Sequence, residues 1–359
     1  MGYALQQLGW NDFFASEFAE FESQGFKPAR VAIENRDNYL VLSTSGELEA
    51  QITGRLIYSA ESPADYPKVG DWVAISVMGD EDKAIIHDIL PRQTTFTRRA
   101  PGKRTELQII GANLDHVYVV QSLDSDFSPN RLERYLVMIR ESGSAPGIIL
   151  NKSDLSNNPE GQKKAAQNIA GTVPLFIVSA KTGDGITELA SAIQPGETIA
   201  LVGSSGVGKS TIINALVGEE RQKTADVREF DAKGRHTTTR RELILLPDGG
   251  LIIDTPGMRE FQLWSGGGME EVYDDILELA AECKFNDCTH THEVECAVLA
   301  AMESGAIPES HYENYLKLQK ELDYLASKQD EAARREREDY WKQIHKDVKE
   351  MKKHRKKLR

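Results

Sequence analysis

A glycine-rich run carries the strongest chemical signal in the chain: Gly203-Ser-Ser-Gly-Val-Gly-Lys-Ser-Thr211. It has the G-x-x-x-x-G-K-[ST] spacing of a P-loop, between the strand-like TIALV and the helical pattern STIINALVG. Its backbone N–H groups are expected to cradle phosphates at a helix N-terminus. Lys209 should reach the β- and γ-phosphates, and the Ser210 hydroxyl should ligate Mg²⁺. The predicted phosphate-binding residues are Gly203, Ser204, Ser205, Gly206, Val207, Gly208, Lys209, Ser210 and Thr211.

Two further motifs indicate which nucleotide base the pocket binds. Asn151-Lys-Ser-Asp154 follows the strand-like GIIL, and a carboxylate at Asp154 can accept from both N1–H and the N2 amine of guanine. Asn151 can tie loops together, and the Lys152 stem can cover the base. A second run, Ser179-Ala-Lys181, follows PLFIV, where GTPases support the base with a backbone N–H. The motifs favour GTP over ATP, and the predicted base contacts are Asn151, Lys152, Ser153, Asp154, Ser179, Ala180 and Lys181.

Two segments have the form of nucleotide-sensing switches. Asp254-Thr-Pro-Gly257 ends the strand-like GLIID and matches D-x-x-G. Asp254 is expected to hold Mg²⁺ through water, and the Gly257 N–H to sense the γ-phosphate. Upstream, Gly234-Arg-His-Thr-Thr-Thr239 supplies switch I threonines, of which Thr238 or Thr239 is the expected Mg²⁺ ligand.

The residue after the DTPG motif departs from the Ras-like pattern. Ras-like enzymes carry a glutamine there to orient the attacking water, whereas this chain has Met258, which offers no donor. His236 is the nearest titratable candidate for placing that water, unless it is only a polar switch residue or a partner supplies the group. The candidate catalytic residues are Lys209 and His236.

The order of the motifs is unusual. Small GTPases run P-loop, switch I, switch II and then the base motifs, but here the base motifs come first, at residues 151 and 179. The sequence therefore predicts a circularly permuted GTPase domain, since permutation moves only the termini. Switch II then leads within about 26 residues to Cys283, so that nucleotide state could reposition the C-terminal module.

All three cysteines of the chain lie in one short segment, Cys283-x4-Cys288-x-His290-x5-Cys296. Three thiolates and one imidazole make a closed tetrahedral set, which is typical of a structural zinc site and leaves no open position for a catalytic water. His292 is an alternative fourth ligand. The remaining alternative is a small core of reduced cysteines.

The elements that must position these residues change along the chain. Trp10, Phe13, Phe14, Phe18 and Phe21 have roughly helical spacing, which indicates a docking helix or, as the simpler interpretation, packing onto the next domain. Residues 31–92 contain about five short strands, the size of an OB-fold or an SH3-like barrel. From residue 114, strands alternate with helical patterns at 159–170, 185–193 and 208–217, which predicts a largely parallel sheet with ELILLP as an edge partner.

Charge is distributed unevenly. The 359 residues carry a net charge of −13, but residues 328–359 hold 13 Lys and Arg against 7 Asp and Glu. This basic tail, and the loop around Pro101-Gly102, could contact RNA phosphates, or they could be a solvated helix and a solvated linker. The RNA contact candidates are Arg98, Arg99, Lys103, Arg104, Lys352, Lys353, Arg355, Lys356 and Lys357.

The cellular compartment is also constrained. The chain has no run of 18 apolar residues, and its N-terminus lacks the basic and apolar regions of a secretory signal. Three crowded cysteines exclude a disulfide scaffold. We therefore expect a cytoplasmic protein without a membrane partner. We also expect it to be a monomer.

Taken together, the barrel, the order NKSD–SAK–GSSGVGKST–GRHTTT–DTPG and the cysteine module closely resemble the bacterial small-subunit-dependent GTPase family RsgA (YjeQ), over nearly the whole chain. The resemblance implies an N-terminal OB-fold, a C-terminal helical zinc domain and a role in late maturation of the 30S subunit, with its 16S rRNA as partner. It also implies GTP hydrolysis that is slow alone and stimulated by the subunit, with Mg²⁺ and one structural Zn²⁺ as cofactors. The alternative is a GTP-dependent scaffold or signalling switch that acts on a protein.

The predicted fold class is α/β: a circularly permuted P-loop GTPase domain between an OB-like barrel and a helical zinc module. The predicted boundaries are 1–30 for the docking segment, 31–97 for the barrel, 98–113 for a basic linker, 114–267 for the GTPase domain, 268–327 for the zinc domain and 328–359 for the tail.

Overall fold

The structure, a computed structural model, describes residues 2–79, 82–99, 107–124, 126–156, 158–218, 241–254 and 267–327. These residues form two compact units, one up to residue 272 and the other from residue 273. The predicted domain boundaries within and beyond these units stay predictions. None of the helices in the described ranges is long and apolar enough to cross a membrane.

The strands of the first unit are β1 (Lys27–Glu34), β2 (Tyr39–Ser43), β3 (Gly46–Ile52), β4 (Trp72–Val77), β5 (Lys83–Ile89), β6 (Thr95–Arg99), β7 (Leu107–Ala112), β8 (His116–Ser122), β9 (Ala145–Asn151), β10 (Leu175–Ile177), β11 (Thr198–Val202), β12 (Glu242–Leu245) and β13 (Leu251–Asp254). Its α-helices are α1 (Asp12–Ser23), α2 (Gly54–Ser59), α3 (Pro129–Glu141), α4 (Pro159–Ala170), α5 (Ile186–Ala192), α6 (Lys209–Val217) and α7 (Met269–Val272). Short 3-10 turns lie at Leu5–Leu8, Pro63–Asp65 and Ser153–Leu155. The second unit contains α8 (Asp274–Ala280), α9 (Ala297–Glu303) and α10 (309–327).

Five strands form a closed barrel. Their order is β1-β2-β3-β5-β4, and β4 pairs back onto β1. The β3–β5 pairing is parallel and the others are antiparallel, with α2 connecting β3 to β4. This Greek-key closure confirms the OB-fold over the SH3-like alternative. Alternate residues of β3, including Leu48 and Ala50, face the barrel core, as the period of a half-buried strand requires.

The N-terminal segment packs against the barrel. Asn11 caps α1 by accepting from the Phe14 amide at 3.2 Å. Phe14 and Phe18 are buried, and Trp10 lies edge-on to Trp72 of β4 with ring centroids 4.7 Å apart. The aromatic spacing therefore reflects ordinary packing onto the next domain, which was the simpler interpretation.

The GTPase half of the sheet has the order β10-β9-β8-β11-β13-β12. Its first five strands are parallel, and β12 is antiparallel to β13. The prediction that ELILLP is an edge partner is wrong, because Glu242 of β12 pairs with Ile33 of β1 and the barrel continues the sheet. A barrel strand thus covers what would have been an open edge.

The predicted basic linker contains regular structure. Strands β6 and β7 form an antiparallel two-stranded ribbon in which Phe96, Ile109 and Ile110 are buried. Across the ribbon, the Arg98 Nε donates to the Gln108 Oε1 at 3.0 Å. Sequence reasoning missed the ribbon because its strands are short and their partner is not apparent from local pattern.

The second unit is built around buried aromatic residues. Tyr273 is fully buried, and the Asn314 Nδ2 of α10 donates to its hydroxyl at 2.9 Å. Tyr315 packs on the same ring, with centroids 5.4 Å apart. These contacts join α10 to the start of α8, next to the cysteine-rich loops.

Candidate nucleotide and metal sites

Parallel strands bring the nucleotide motifs to one edge of the sheet. The P-loop follows β11, the NKSD motif follows β9, the SAK run follows β10, and Asp254 ends β13. Because these strands are parallel, their carboxyl ends meet at the same edge, where open α/β sheets bind ligands. The permuted order therefore leaves the candidate pocket assembled from neighbouring strands.

Two P-loop glycines are required by close approach of the backbone. Gly203 and Gly208 have φ values of 147° and 97°. A Cβ on Gly203 would lie 2.3 Å from the Val120 carbonyl oxygen, and one on Gly208 would lie 2.2 Å from the Asn151 Nδ2. Neither position can hold a side chain without moving β8 or the NKSD loop.

Lys209 is held inside the P-loop. Its ammonium donates to the carbonyl oxygens of Gly203 and Ser204 at 2.7 and 2.8 Å. Burial lowers the pKa of Lys209 to about 8, although the nearby Asp254 carboxylate opposes the shift. Since no side chain caps the N-terminus of α6, its first N–H groups are available to an anion. The loop has the charge and donors that a polyphosphate needs.

Asn151 joins three loops. Its Nδ2 donates to the Val207 carbonyl of the P-loop at 2.8 Å, and its Oδ1 accepts from the Ala180 amide of the SAK run at 3.1 Å. The residue is 2% exposed, so these bonds are shielded from water. Asn151 thereby fixes the phosphate loop relative to the base motifs.

The Asp154 carboxylate is exposed at the pocket. The Ser179 hydroxyl donates to its Oδ1 at 2.7 Å, which orients the carboxylate. The Ser153 amide donates to the Val178 carbonyl at 3.2 Å and attaches the NKSD loop to the end of β10. Lys181 is exposed beside them. This arrangement presents an oriented acceptor to a base.

Lys152 adopts the left-handed conformation, with φ of 60°, and its ammonium lies 3.0 Å from the Asp124 Oδ2. Sequence reasoning gave Asp124 no role. The available signal was its place, a polar residue two positions after the end of the buried strand β8.

The candidate magnesium site is described in part. Ser210 lies in the first turn of α6, and Asp254 is 5% exposed at the end of β13. Both belong to neighbouring parallel strand–loop units, as a shared Mg²⁺ would require. The other switch predictions, Gly234, His236, Thr238, Thr239, Gly257 and Met258, lie outside the described residues.

Cys283, Cys288, His290 and Cys296 form one cluster, with a ligand atom from each within 4.8 Å of the others. Tetrahedral Zn²⁺, with Zn–S bonds of about 2.3 Å and Zn–N bonds of about 2.0–2.1 Å, sets sulfurs about 3.8 Å apart and nitrogen about 3.5 Å from each sulfur. The Cys283 and Cys296 sulfurs are 3.8 Å apart, and the His290 Nδ1 lies 3.6 and 3.5 Å from them. The donor set therefore fits zinc. His292 is outside the cluster, and its Nδ1 lies 2.8 Å from the Thr291 hydroxyl.

The loop carrying His290 is held from two sides. His290 has a left-handed φ of 58°, and its carbonyl accepts from the Tyr312 hydroxyl of α10. The Glu293 carboxylate accepts from the amides of Thr289 and Thr291, both at 2.9 Å. A hydrogen bond from the Thr289 hydroxyl, followed by those from the His292 and Thr289 amides, lowers the pKa of Glu293 well below its usual range. Glu293 is a second residue that sequence reasoning missed.

The RNA contact candidates are mostly outside the described residues. Arg98 lies on β6 and bonds to Gln108, and Arg99 is the last residue of the same strand. Lys103, Arg104, Lys352, Lys353, Arg355, Lys356 and Lys357 are outside the described ranges.

Comparisons with known proteins agree with the permuted order. A family model described as RsgA GTPase matches residues 89–264, and one described as 50S ribosome-binding GTPase matches residues 198–355. The chain is 45% identical over 356 residues to the small ribosomal subunit biogenesis GTPase RsgA of Opitutus terrae, covering 95% of this chain and 96% of that protein. The crystal structure of YjeQ from Thermotoga maritima is similar with a TM-score of 0.62 and 28% identity, covering 83% of this chain and 98% of that one. YloQ, described as a circularly permuted GTPase, has the same fold, with a TM-score of 0.61 at 22% identity over 83% of this chain and 95% of that one.

Proposed function

Because the chain belongs to the RsgA family of GTPases, and so is a GTP-hydrolysing enzyme, we propose that it acts in biogenesis of the small ribosomal subunit. The main structural support for a GTP site at these residues comes from Asn151. Its side chain forms hydrogen bonds to both the P-loop and the SAK run. It makes one pocket from motifs that the permutation places in a different order. The name of the Opitutus terrae relative, 45% identical over nearly the whole chain, supports the ribosomal role.

In this proposal the pocket reads guanine through Asp154 and holds the phosphates through the P-loop. The exposed carboxylate of Asp154 accepts two N–H groups that guanine has and adenine lacks in that arrangement. The Lys209 ammonium exchanges its bonds to backbone carbonyls for the β- and γ-phosphate oxygens. Phosphate oxygens favour the charged form of Lys209 that burial disfavours, so bound nucleotide should raise the pKa of Lys209.

Ser210 and Asp254 would hold the Mg²⁺ that accompanies GTP, with Thr238 or Thr239 completing the set from switch I. An ion held there would supply positive charge to the phosphate oxygens, where negative charge develops during hydrolysis. Met258 has no hydrogen-bond donor and only a weak sulfur acceptor, so we assign the orientation of the attacking water to His236 or to a group supplied by the partner.

The finer ribosomal role follows from the same proposal. The enzyme acts late in maturation of the 30S subunit, contacts 16S rRNA, and hydrolyses GTP faster when the subunit is bound. Nucleotide state then governs binding and release. The family model that names the 50S subunit matches only residues 198–355, whereas the relative named for the small subunit matches nearly the whole chain. The enzyme is proposed to work in the cytoplasm as a monomer.

The cysteine cluster is proposed to hold one structural zinc. The distances among Cys283, Cys296 and His290 match a tetrahedral ion, and four protein ligands leave no place for a reacting water. Zinc would stabilise the second unit rather than take part in hydrolysis.

Turnover of GTP with no subunit, with 30S subunits and with 50S subunits tests the proposal. We expect stimulation by 30S subunits alone. Stimulation by 50S subunits would transfer the role to the large subunit. No response to either, with recovery of protein but no rRNA in a pull-down, would favour the scaffold or signalling alternative. The Lys209→Ala variant serves as control, because stimulated turnover should vanish with the phosphate-binding lysine.

A further inference from the structure

The two oxygens of the Asp124 carboxylate contact different partners. Oδ1 accepts from the Ser122 hydroxyl at 2.7 Å and from the Asp126 amide at 2.9 Å. Oδ2 lies 3.0 Å from the Lys152 ammonium. One oxygen therefore fixes the carboxylate in the loop after β8, and the other reaches across to the loop after β9.

Lys152 is a residue whose position needs support. It is a non-glycine residue in the left-handed region, with φ of 60° and ψ of 40°, immediately before the 3-10 turn Ser153–Leu155. Its side chain has four carbons between backbone and ammonium, and ordering such a stem costs rotamer entropy. A fixed acceptor for the ammonium reduces that cost before a ligand arrives.

We propose that Asp124 is a positioning residue of the guanine pocket, which anchors the Lys152 ammonium so that the lysine stem lies along one face of the base. The inference rests on the proposed role of the NKSD motif in base binding. Asp124 does not touch the nucleotide in this scheme and acts only through Lys152.

Two observations separate this pair from an ordinary surface ion pair. The side chains of Lys152 and Asp124 are 26% and 28% exposed, so the pair is partly shielded from water. Burial alone would raise the pKa of Asp124, but hydrogen bonds from the Asp126 amide and the Ser122 hydroxyl, together with Lys152, lower it overall. The carboxylate is therefore charged at neutral pH, and its hydrogen bonds to Ser122 and to the Asp126 amide hold it in place.

The chain offers a matched control two residues away. Asp126 lies in the same loop and carries the same charge, but its carboxylate pairs with Arg131 of α3, at 2.8 Å to Nη2. Asp124→Asn keeps an oxygen for Ser122 and the Asp126 amide while it removes the charge opposite Lys152. Asp126→Asn removes the same charge without touching the NKSD loop.

The test measures affinity and dissociation rate of fluorescent GDP and GTP analogues for the full chain and for Asp124→Asn, Asp126→Asn, Lys152→Ala and the Asp124→Asn/Lys152→Ala double variant. We expect Asp124→Asn to weaken binding by about three- to fivefold with faster dissociation, and Asp126→Asn to stay within about twofold. In the Lys152→Ala background, Asp124→Asn should add nothing. The preference for guanine over xanthine should be unchanged, because Asp154 sets it.

Equal affinities for Asp124→Asn and Asp126→Asn would overturn the inference. So would an undiminished loss in the Lys152→Ala background, which is also the result expected if the substitution merely disturbed the loop. If the wild-type protein binds guanine nucleotides tightly and Asp124→Asn leaves that affinity unchanged, only this inference is overturned. A wild-type protein without guanine preference overturns the proposed pocket as well.

Discussion

Replacing Asn151 tests whether one side chain assembles the nucleotide pocket. Asn151→Ala removes the donor to Val207 and the acceptor for the Ala180 amide, which are 2.8 and 3.1 Å away. Both backbone partners then lose their bond at a position where Asn151 itself was 2% exposed. The P-loop and the SAK run are no longer fixed to the base motif, so nucleotide binding must order them.

The expected loss follows from the two bonds. Each buried hydrogen bond contributes about 0.5–1.5 kcal/mol, and an unsatisfied buried partner costs about 1–3 kcal/mol. The loss of both bonds should cost roughly 2–4 kcal/mol in total. Because the loops can relax toward water when no nucleotide is bound, we expect most of this cost to appear as weaker nucleotide binding rather than as lower stability of the free protein. That corresponds to roughly 30- to 1000-fold weaker GDP binding. Equilibrium titration with a fluorescent GDP analogue measures it, with thermal unfolding of nucleotide-free protein as a companion.

Asn158→Ala is the matched control. The Asn158 side chain caps α4 by accepting from the Gly161 amide at 3.2 Å, so its loss costs about 0.5–2 kcal/mol of stability without touching the pocket. We expect it to lower the unfolding temperature and leave GDP affinity within about twofold. If Asn151→Ala also stays within twofold, or if both variants lose affinity in proportion to stability, the reasoning about loop assembly is refuted.

Four further predictions concern separate parts of the chain. Asp154→Asn should shift preference from guanine toward xanthine, since the amide donates where the carboxylate accepted; undiminished GTP affinity and no gain for XTP in competition titrations would contradict this. Metal analysis of the purified protein should find one zinc ion per chain, and a zinc content near zero would contradict the zinc hypothesis. Cys288→Ala should lose the ion and loosen the second unit, because the energy of metal binding there contributes to folding. GTP binding should persist in this variant. His236→Ala should lower subunit-stimulated turnover by roughly 10- to 1000-fold with little change in nucleotide affinity, and the reverse pattern would make it a structural switch residue. Deleting residues 349–359 should weaken 30S binding and flatten its salt dependence in co-sedimentation without changing intrinsic hydrolysis, whereas an unchanged salt slope would leave a solvated tail.

The local sequence was sufficient to predict a helix or strand where a motif works only between particular elements. The helical patterns at 159–170 and 208–217 correspond to α4 (Pro159–Ala170) and α6 (Lys209–Val217). The P-loop predicted its flanking strand and helix because its glycines work only at that junction. The five-stranded barrel also followed from turn spacing, although only the strand order, with its β4–β1 closure and parallel β3–β5 pairing, identified it as an OB-fold.

Features that depend on distant partners were not readable from the sequence. The position of β12 depends on Ile33, more than 200 residues earlier in the chain. The choice between His290 and His292 depends on the fold of their loop, because both have plausible ligand spacing. Asp124 acquires its partner only when β8 and β9 lie side by side. For β12 and for Asp124 the deciding contact joins segments that no local window includes.

Strand β12 links the barrel mechanically to the GTPase domain, because it pairs with β13 on one side and with barrel strand β1 on the other. It begins directly after residues 219–240, which contain the predicted switch I, and Glu242 lies opposite Asp254 at the end of β13. A load applied to the barrel is therefore transmitted through the Ile33–Glu242 pairing to the strand beside the candidate magnesium ligand. Displacement of β1 would therefore pull on the strand that follows the predicted switch I, and the barrel would act on the GTPase domain through the sheet itself.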